Sequence, residues 1–398
     1  MKTHSMTGAE RRAALSLAGI FSLRMLGLFM IYPVFALYAR TLPDATPFTI
    51  GLALGVYGLT QAILQIPFGF LSDRFGRKRI IALGLVLFAA GSVLAALSHS
   101  IDGIIVGRLL QGTGAVGSAV LALAADLTRE QHRTKAMAII GMTIGLAFAL
   151  ALVTGPVLNS LIGVPGIFWL TAALALAGIG VLFGLVPRPA RSPPQEDAEA
   201  VPALFRRVLS DRELLRLDFG IFVQHAILTA SFLSVPLVLR TAGVQTQDQW
   251  FVYLPVLALS VLFMVPCIII AERRGRMKPV FLGGVAALAV AELLLFAGHA
   301  HLPVVLLALT LFFTGFNLLE SMLPSIISRV APPHAKGTAL GVYSSAQFFG
   351  IFIGGALGGA VQGWLGFADA FGFSALLAVL WLLVAVAMRP LPQRGAAR

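Results

Sequence analysis

Five side chains that can carry a charge lie inside long apolar runs of this 398-residue sequence. An ionisable group inside a membrane-spanning helix costs several kcal/mol unless it is paired or hydrated, so each is a candidate functional group. Glutamate and histidine can exchange a proton at such a depth, whereas arginine keeps its charge. The five residues are Arg24, Arg108, His225, Glu292 and Glu320.

These residue types and depths suggest specific roles. Glu320 is the candidate proton carrier and His225 a second carrier or a modulator; alternatively, Glu320 forms a permanent pair with Arg24 or His225. A neutral His225 bonded to a hydroxyl such as that of Thr229 is the other interpretation of the histidine. Arg24 would tune Glu320, bind an anionic group or bond a backbone carbonyl. Glu292 is expected to be protonated or paired locally.

The composition is that of a protein surrounded by lipid. Hydrophobic residues make up 58% of the chain and charged residues 12%, with a mean hydropathy of +0.91. Soluble domains are about 45–50% apolar and about 25% charged. The sequence lacks a nucleotide-binding loop, a zinc-peptidase motif and a serine-hydrolase motif, and Cys267 is its one cysteine. We therefore expect neither an enzyme nor a bound cofactor or metal.

Twelve apolar runs are long enough, at about 20 residues each, to cross a bilayer. They lie at approximately 14–39, 48–71, 80–98, 102–124, 136–160, 164–186, 214–239, 250–271, 279–298, 303–327, 337–363 and 369–388.

Basic residues divide unevenly between the two ends of these spans. If the N terminus is cytoplasmic, 25 of the 29 Lys and Arg residues lie in cytoplasmic segments, and only Arg40 and Arg240 lie in external loops. Loops rich in Lys and Arg stay on the cytoplasmic side, so both termini are predicted to be cytoplasmic. The formal net charge of +12 then follows from topology, and we expect no nucleic-acid partner.

The chain divides into two related halves, 1–186 and 214–398, joined by a polar linker at 187–213. The second part of the linker has an amphipathic pattern that predicts a short helix on the inner leaflet, with an irregular tether as the alternative. An offset of 199 residues aligns Gly76 with Gly275 and Arg77 with Arg276. Parallel repeats of this kind are typical of one large transporter architecture, in which the halves enclose a central cavity.

The loop between the second and third spans has the most specific spacing in the sequence. Gly69 would let a neighbouring helix approach closely, and Gly76 would permit a sharp turn. Asp73 can accept from Arg77, which could also reach Asp126 at the end of the fourth span. A simple basic cytoplasmic loop is the alternative interpretation.

With this spacing, the loop resembles motif A of the major facilitator superfamily. Residues 108–115 in the fourth span resemble its motif B. Gly145, Gly155 and Pro156 in the fifth span resemble its antiporter motif C, although Asn159 and Ser160 stand where that motif often has glycines. Segments similar to the YajR-type branch of drug:proton antiporters lie at 21–27, 57–62, 65–69, 126–131 and 316–320. The resemblance covers about 10–389 and does not include the small soluble C-terminal domain known from that branch.

The resemblance implies an all-α membrane fold, in which twelve transmembrane helices form two pseudo-symmetric bundles of six. It implies that spans one, four, seven and ten line the cavity, that motif A with Asp126 acts as a conformational latch, and that Arg108 assists proton transfer. Polar and aromatic side chains on the spans are the candidates for lining a substrate cavity. They are Tyr32, Tyr57, Gln61, Gln65, Gln111, Gln224, Asn317, Tyr343 and Gln347.

These features together predict a proton-coupled secondary transporter of a bacterial inner membrane, an antiporter that exports amphipathic, drug-like small molecules by alternating access. A symporter or facilitator of a small nutrient and a lipid or lysolipid flippase are alternatives on the same fold. A membrane sensor or scaffold that does not transport is a further alternative. We expect a monomer whose partners are a small-molecule substrate, protons and the lipid bilayer.

Overall fold

The computed structural model describes residues 5–187, 201–332 and 335–389, and regular structure within them is entirely helical. Besides a short 3-10 helix at Thr246–Asp248, this part of the chain forms fourteen α-helices. They are α1 (Gly8–Phe29), α2 (Tyr32–Ala39), α3 (Pro47–Phe75), α4 (Arg77–Leu97), α5 (Ile101–Thr113), α6 (Gly117–Asp126), α7 (Glu130–Gly184), α8 (Val201–Ser210), α9 (Arg212–Thr241), α10 (Trp250–Arg273), α11 (Met277–Gly298), α12 (Leu302–Val330), α13 (Lys336–Trp364) and α14 (Phe367–Val386).

Eleven helical segments of the described chain are long and apolar enough to cross a membrane. Helices α1 and α2 together form one of them, as do α5 and α6. The 55-residue α7 contains a non-helical residue, Gly163, with a φ of 67°. This break falls where the predicted fifth and sixth spans meet, so α7 supplies both. The predicted all-α membrane fold is confirmed.

The fourth span is broken near its middle and the first about three-quarters of the way along, which the hydropathy pattern did not predict. Pro33 lacks an N–H, and the first span is interrupted just before it, between α1 and α2. The fourth span is interrupted at Gly114, where a Cβ would lie 2.3 Å from the carbonyl oxygen of Gly84. At this break the carbonyl of Gly114 accepts from the N–H of Val116 at 2.9 Å, and its second lone pair can accept a hydrogen bond from another helix.

The two halves repeat the same local contacts. Lys78 Nζ donates to the carbonyl of Val186 at 2.5 Å, and Lys278 Nζ donates to the carbonyl of Val386 at 2.9 Å, 200 residues later. Gly76 and Gly275 both have positive φ, 95° and 64°. Each half therefore ties the start of its third span to the end of its sixth, as expected of an internal repeat.

The halves are connected through α8, which precedes α9 directly. Val208 of α8 is buried, whereas Leu209 is 51% exposed. Asp211 ends the connection by accepting hydrogen bonds from the N–H groups of Glu213 and Leu214, which caps α9. Residues 188–200 of the predicted linker lie outside the described chain. The position of α8 on the membrane and the domain boundaries stay predictions.

The closest approach of the halves lies along α3 and α13, which run antiparallel. A Cβ on Gly51 would lie 2.1 Å from the carbonyl oxygen of Gly355, and one on Gly58 would lie 2.3 Å from that of Phe348. No side chain fits at either position, so the two backbones are in direct contact. This contact lies toward the end of the molecule opposite the basic loops; we call the end that carries those loops the basic end.

At the basic end, Glu10 ties the start of α1 to the start of α7. Its Oε1 accepts from the backbone N–H and the Nε of Arg129, each at 2.9 Å, and its Oε2 accepts from Nη2 at 3.0 Å. These bonds raise the pKa of Arg129 above its ordinary value. Thr7 and Glu10 also form a capping box at the first turn of α1.

Replacing Glu10 by Gln should lower the thermal stability of the purified protein, because the amide cannot accept all three bonds and has no charge for Arg129. The matched control is Glu130→Gln, which removes an exposed carboxylate at the start of α7. Thermal unfolding in detergent should give a clearly larger drop in midpoint for the Glu10 variant. Equal unfolding midpoints for the two variants would contradict the conclusion that Glu10 ties α1 to α7.

Candidate functional site

Glu320 on α12 is held by side-chain amides of two other helices. Gln224 Nε2 on α9 donates to its Oε2 at 3.0 Å, and Gln347 Nε2 on α13 donates to its Oε1 at 3.3 Å. Phe316, one turn away on α12, stacks on Phe148 of the first half, with ring centroids 5.8 Å apart. The side chain of Glu320 is 34% exposed. The carboxyl group is therefore partly exposed and lies one helical turn from a contact between the halves.

The hydrogen bonds of His225 define a neutral imidazole. Its Nδ1 lies 3.3 Å from the carbonyl oxygen of Ile221, which can only accept, so Nδ1 carries the hydrogen. Its Nε2 lies 2.9 Å from Gln347 Nε2, a donor, so the ring nitrogen accepts there. Glu320 Oε2 is 3.9 Å from Nε2, beyond hydrogen-bond distance. The hydroxyl of Thr229 donates to the backbone carbonyl of His225 and not to its ring.

Both carboxyl oxygens of Glu320 accept hydrogen bonds in this arrangement, as those of an ionised carboxylate do. A proton on either oxygen would place an O–H against an amide N–H. Gln224 Oε1 is buried without a hydrogen-bond partner in the described chain, so a rotation of this amide would offer the new O–H an acceptor. A change of charge at Glu320 therefore requires a rearrangement at α9 or α13.

Arg24 on α1 is 1% exposed and is held by neutral groups. Its Nη2 donates to Tyr57 Oη at 2.6 Å, to Gln61 Oε1 at 2.8 Å and to the carbonyl of Gly114 at 3.1 Å. Its Nε and Nη1 have no hydrogen-bond partner among the residues described. Glu320 is not one of its partners, so the alternative of a permanent Arg24–Glu320 pair is wrong. The backbone-carbonyl bond is present because the fourth span is broken at Gly114.

Arg108 on α5 is bound in the same manner. Its Nε and Nη2 donate to the carbonyls of Ala53 and Leu54, each at 3.1 Å, and its Nη1 donates to Gln111 Oε1 at 2.8 Å. The guanidinium carbon lies 5.1 Å from the centroid of the Tyr57 ring, and that of Arg24 lies 5.8 Å from it. Tyr57 thus contacts both buried cations of the first half.

Seven of the nine side chains predicted to line the cavity are at most 5% exposed. Several belong instead to the hydrogen-bond network around the arginines: Gln61 donates to Gln65 at 2.9 Å, and Gln111 donates to Ser92 at 2.7 Å. Asn317, which donates to Ser260 at 3.1 Å, and Gln347 are half-buried. The seven buried residues are Tyr32, Tyr57, Gln61, Gln65, Gln111, Gln224 and Tyr343.

Glu292 on α11 lies away from this cluster and is fully buried. Its Oε1 accepts from the hydroxyl of Ser231 on α9 at 2.7 Å, and that hydroxyl lies 3.5 Å from the hydroxyl of Ser374 on α14. Its Oε2 has no hydrogen-bond partner in the described part of the chain. Glu292 therefore joins three helices of the second half and has a local partner, as expected.

Sequence reasoning missed a buried acid of the second half, Asp218 on α9. Its exposed fraction is 6%, and neither carboxyl oxygen has a hydrogen-bond partner among the described residues. The signal was its position seven residues before His225, which places both on one face of the helix. It was overlooked because Arg216 lies two residues before it, so the segment resembled the polar end of a span.

The latch residues assemble within the first half. Arg77 Nε donates to Asp126 Oδ2 at 3.1 Å, its Nη1 donates to Ser72 Oγ at 2.8 Å, and the guanidinium also pairs with Asp73. The side chain of Asp73 is nevertheless 56% exposed. A Cβ on Gly69 would meet only Ser118 of the same half, at 3.4 Å or more, among the described atoms. The expected contacts within the latch loop are thus present, but they do not join the loop to the second half.

Helices α3 and α13 diverge toward the basic end. Their antiparallel register pairs Gly51 with Gly355, and continuing it places Gly69 opposite Gly337 and Gln65 opposite Gly341. A Cβ on either Gly337 or Gly341 would have no described atom within 4 Å. These two helices are therefore in contact at one end and leave a cleft between them at the basic end.

The motif C residues lie in the first part of α7. A Cβ on Gly155 would lie 2.5 Å from the carbonyl oxygen of Met30, so this glycine lets α7 approach the break in the first span. Pro156 follows it inside the helix. A Cβ on Gly145 would have no described atom within 4 Å. Only Gly155 is therefore required by packing in this conformation.

Comparison with known proteins gives a consistent result. The family profile described as the Major Facilitator Superfamily matches residues 17–355 and 246–398. The Inner membrane transport protein YajR of Escherichia coli (strain K12) is 46% identical over 98% of this chain and 86% of that protein. The Multidrug resistance protein MdtH of Aeromonas salmonicida (strain A449) is 26% identical over 85% of this chain and 84% of that protein.

Among solved structures, a bacterial homologue of the human lysosomal transporter Spinster, in an inward-facing and occupied conformation, shares the fold with a TM-score of 0.73. The alignment covers 96% of each chain at 16% identity. At this identity the similarity concerns the fold alone.

Proposed function

The chain belongs to the major facilitator superfamily, a family of transport proteins and not of enzymes, and we propose that it is a proton-coupled antiporter of amphipathic, drug-like small molecules. The observation that carries the proposal is the carboxyl group of Glu320. It is partly exposed, one helical turn from a contact between the halves, and two amides and a histidine surround it. A group that must change charge with the transport cycle requires such a position.

In the proposed cycle, protonation of Glu320 and binding of cargo exclude one another. The ionised carboxylate is satisfied by Gln224 and Gln347, which fixes α9 and α13 around α12. A proton removes one of these bonds, so the second half gains a second arrangement of its helices. A ligand that prefers one arrangement can then shift the balance between two conformations that differ by a few kcal/mol.

The side chains near Glu320 support the proposed class of cargo. Near Glu320 the amides of Gln347 and Asn317 are half-buried, and in the first half the half-buried ring of Phe29 packs edge-on against Phe148. A mixture of hydrogen-bonding groups and aromatic surface suits an amphipathic molecule. The similarity to a multidrug resistance protein supports the same class.

The latch works by closing the basic end. At the opposite end, glycines of α3 and α13 are in contact. The same antiparallel register, continued to the basic end, places Gly69 of α3 opposite Gly337 of α13. In the other conformation these two backbones would meet, and the exposed carboxylate of Asp73 would reach the second half. Because basic loops stay in the cytoplasm, the open cleft seen here would face inward, and both termini would be cytoplasmic. We also propose a monomer in a bacterial inner membrane.

Proteoliposomes test the role of Glu320. Vesicles that contain purified protein and a trapped pH-sensitive dye are loaded with a panel of cationic and neutral amphipathic dyes. An outward gradient of a transported dye should drive protons inward in the wild type, and Glu320→Gln should abolish this flux because the amide cannot ionise. The control Asp102→Asn removes an exposed acid and should keep the dye-driven proton flux. Dye-driven proton movement in the opposite direction would instead indicate a symporter.

A glycine substitution tests the latch. Gly341→Val adds a side chain where the described structure has open space, so the thermal unfolding midpoint should stay close to that of the wild type. The same side chain would block closure of the basic end, so transport of the dye should fall at least tenfold. Gly283 on α11 also has no described atom near its Cβ position, and Gly283→Val is the control that should transport normally. Wild-type transport by the Gly341 variant would contradict the latch.

A further inference from the structure

Asp218 has surroundings that its position in the fold does not explain. It lies near the basic end of α9, with an exposed fraction of 6% and no hydrogen-bond partner for either oxygen among the described residues. An ionised carboxylate buried without a donor is strongly disfavoured. The arrangement therefore fits an acid that holds a proton in this conformation.

The packing of α9 against α13 places Asp218 in the same interface as Glu320. A Cβ on Gly350 would lie 2.2 Å from the carbonyl oxygen of Phe222, and one on Gly354 would lie 2.1 Å from that of Ala226. The two helices are thus parallel and in fixed register. One turn earlier, this register puts Asp218 beside Ala346.

Ala346 is flanked on α13 by Tyr343 and Gln347, and Gln347 bonds to Glu320. Tyr343 is 5% exposed, and its hydroxyl has no hydrogen-bond partner in the described chain. Because Ala346 lies opposite Asp218 and Gln347 bonds to Glu320, Tyr343 lies one turn of α13 from the contacts of both acids. A single buried O–H donor thus stands near two carboxyl groups and can stabilise only one ionised acid at a time.

We propose that Asp218 is a second proton-binding site, coupled to Glu320 through the hydroxyl of Tyr343. This inference rests on the proposed function, in which Glu320 is the first site. When Tyr343 donates to one carboxylate, the other acid keeps its proton. The proton leaves either acid to water and returns from water, so the step needs no other reactant.

Infrared spectroscopy of the full chain in lipid nanodiscs tests this without a transported substrate. The protein is made with aspartate labelled with carbon-13 in its side-chain carboxyl, and the pH is raised from mildly acidic to alkaline. Asp218 is the one buried aspartate in the described chain. The wild type should show an isotope-shifted band of a protonated carboxyl group that disappears on titration. Asp218→Asn should lose this band, and the exposed-acid control Asp102→Asn should keep it.

The comparison variants separate the two proposals. Glu320→Gln should keep the labelled aspartate band and lose an unlabelled glutamate band that titrates in the wild type. If the wild type shows no such glutamate band, the proposed function fails while the assignment of the aspartate band to Asp218 stands. Tyr343→Phe should shift the aspartate band, and an unchanged band would overturn the coupling through tyrosine. If the labelled wild type shows no titrating aspartate band, or if Asp218→Asn retains it, Asp218 is not a proton-binding site.

Discussion

Inside the helical bundles, ionisable groups without a counter-ion are bound by neutral hydrogen-bonding groups, and the two halves of this chain bind groups of opposite type in this way. In the first half, carbonyl, amide and phenol oxygens bind Arg24 and Arg108. In the second half, amide and hydroxyl donors bind Glu320 and Glu292. Because arginine keeps its proton while a carboxylic acid can gain one, only the second half can change charge at these sites.

This division gives each half a distinct part in the proposed cycle. The first half is a fixed framework: the break at Gly114 supplies a carbonyl to Arg24, and the backbone of α3 supplies two to Arg108. The second half contains the groups whose hydrogen bonds depend on protonation, at the contact of α9, α12 and α13. Helix α13 also forms the glycine-lined contact with α3. A rearrangement at Glu320 therefore reaches the interface between the halves through a single helix.

The parts of this arrangement that follow from local pattern could be predicted from the sequence. Hydropathy runs gave the spans and located the break at Gly163, and the spacing of the latch loop indicated that Arg77 reaches Asp126. Which backbone carbonyl binds Arg24 could not be predicted, because that carbonyl is exposed by a helix break 90 residues away. The same holds for Tyr57 and Gln111: periodicity places them on inward faces but does not distinguish a cavity wall from a buried network. Asp218 was missed since its burial comes from the packing of other helices on α9, among them α13 and α14, far along the chain.

The central claim is that a proton on Glu320 controls which end of the molecule is closed. Electron spin resonance distances between labels in nanodiscs test it directly, in a background with Cys267 replaced by Ser. One label pair, at Phe75 and Lys336, reports the basic end, and another, at Phe48 and Trp364, reports the opposite end. The account predicts that acidification redistributes the distances at the two ends in opposite directions, and that Glu320→Gln removes the dependence on pH. A pH response of the same size in the Glu320 variant would contradict it.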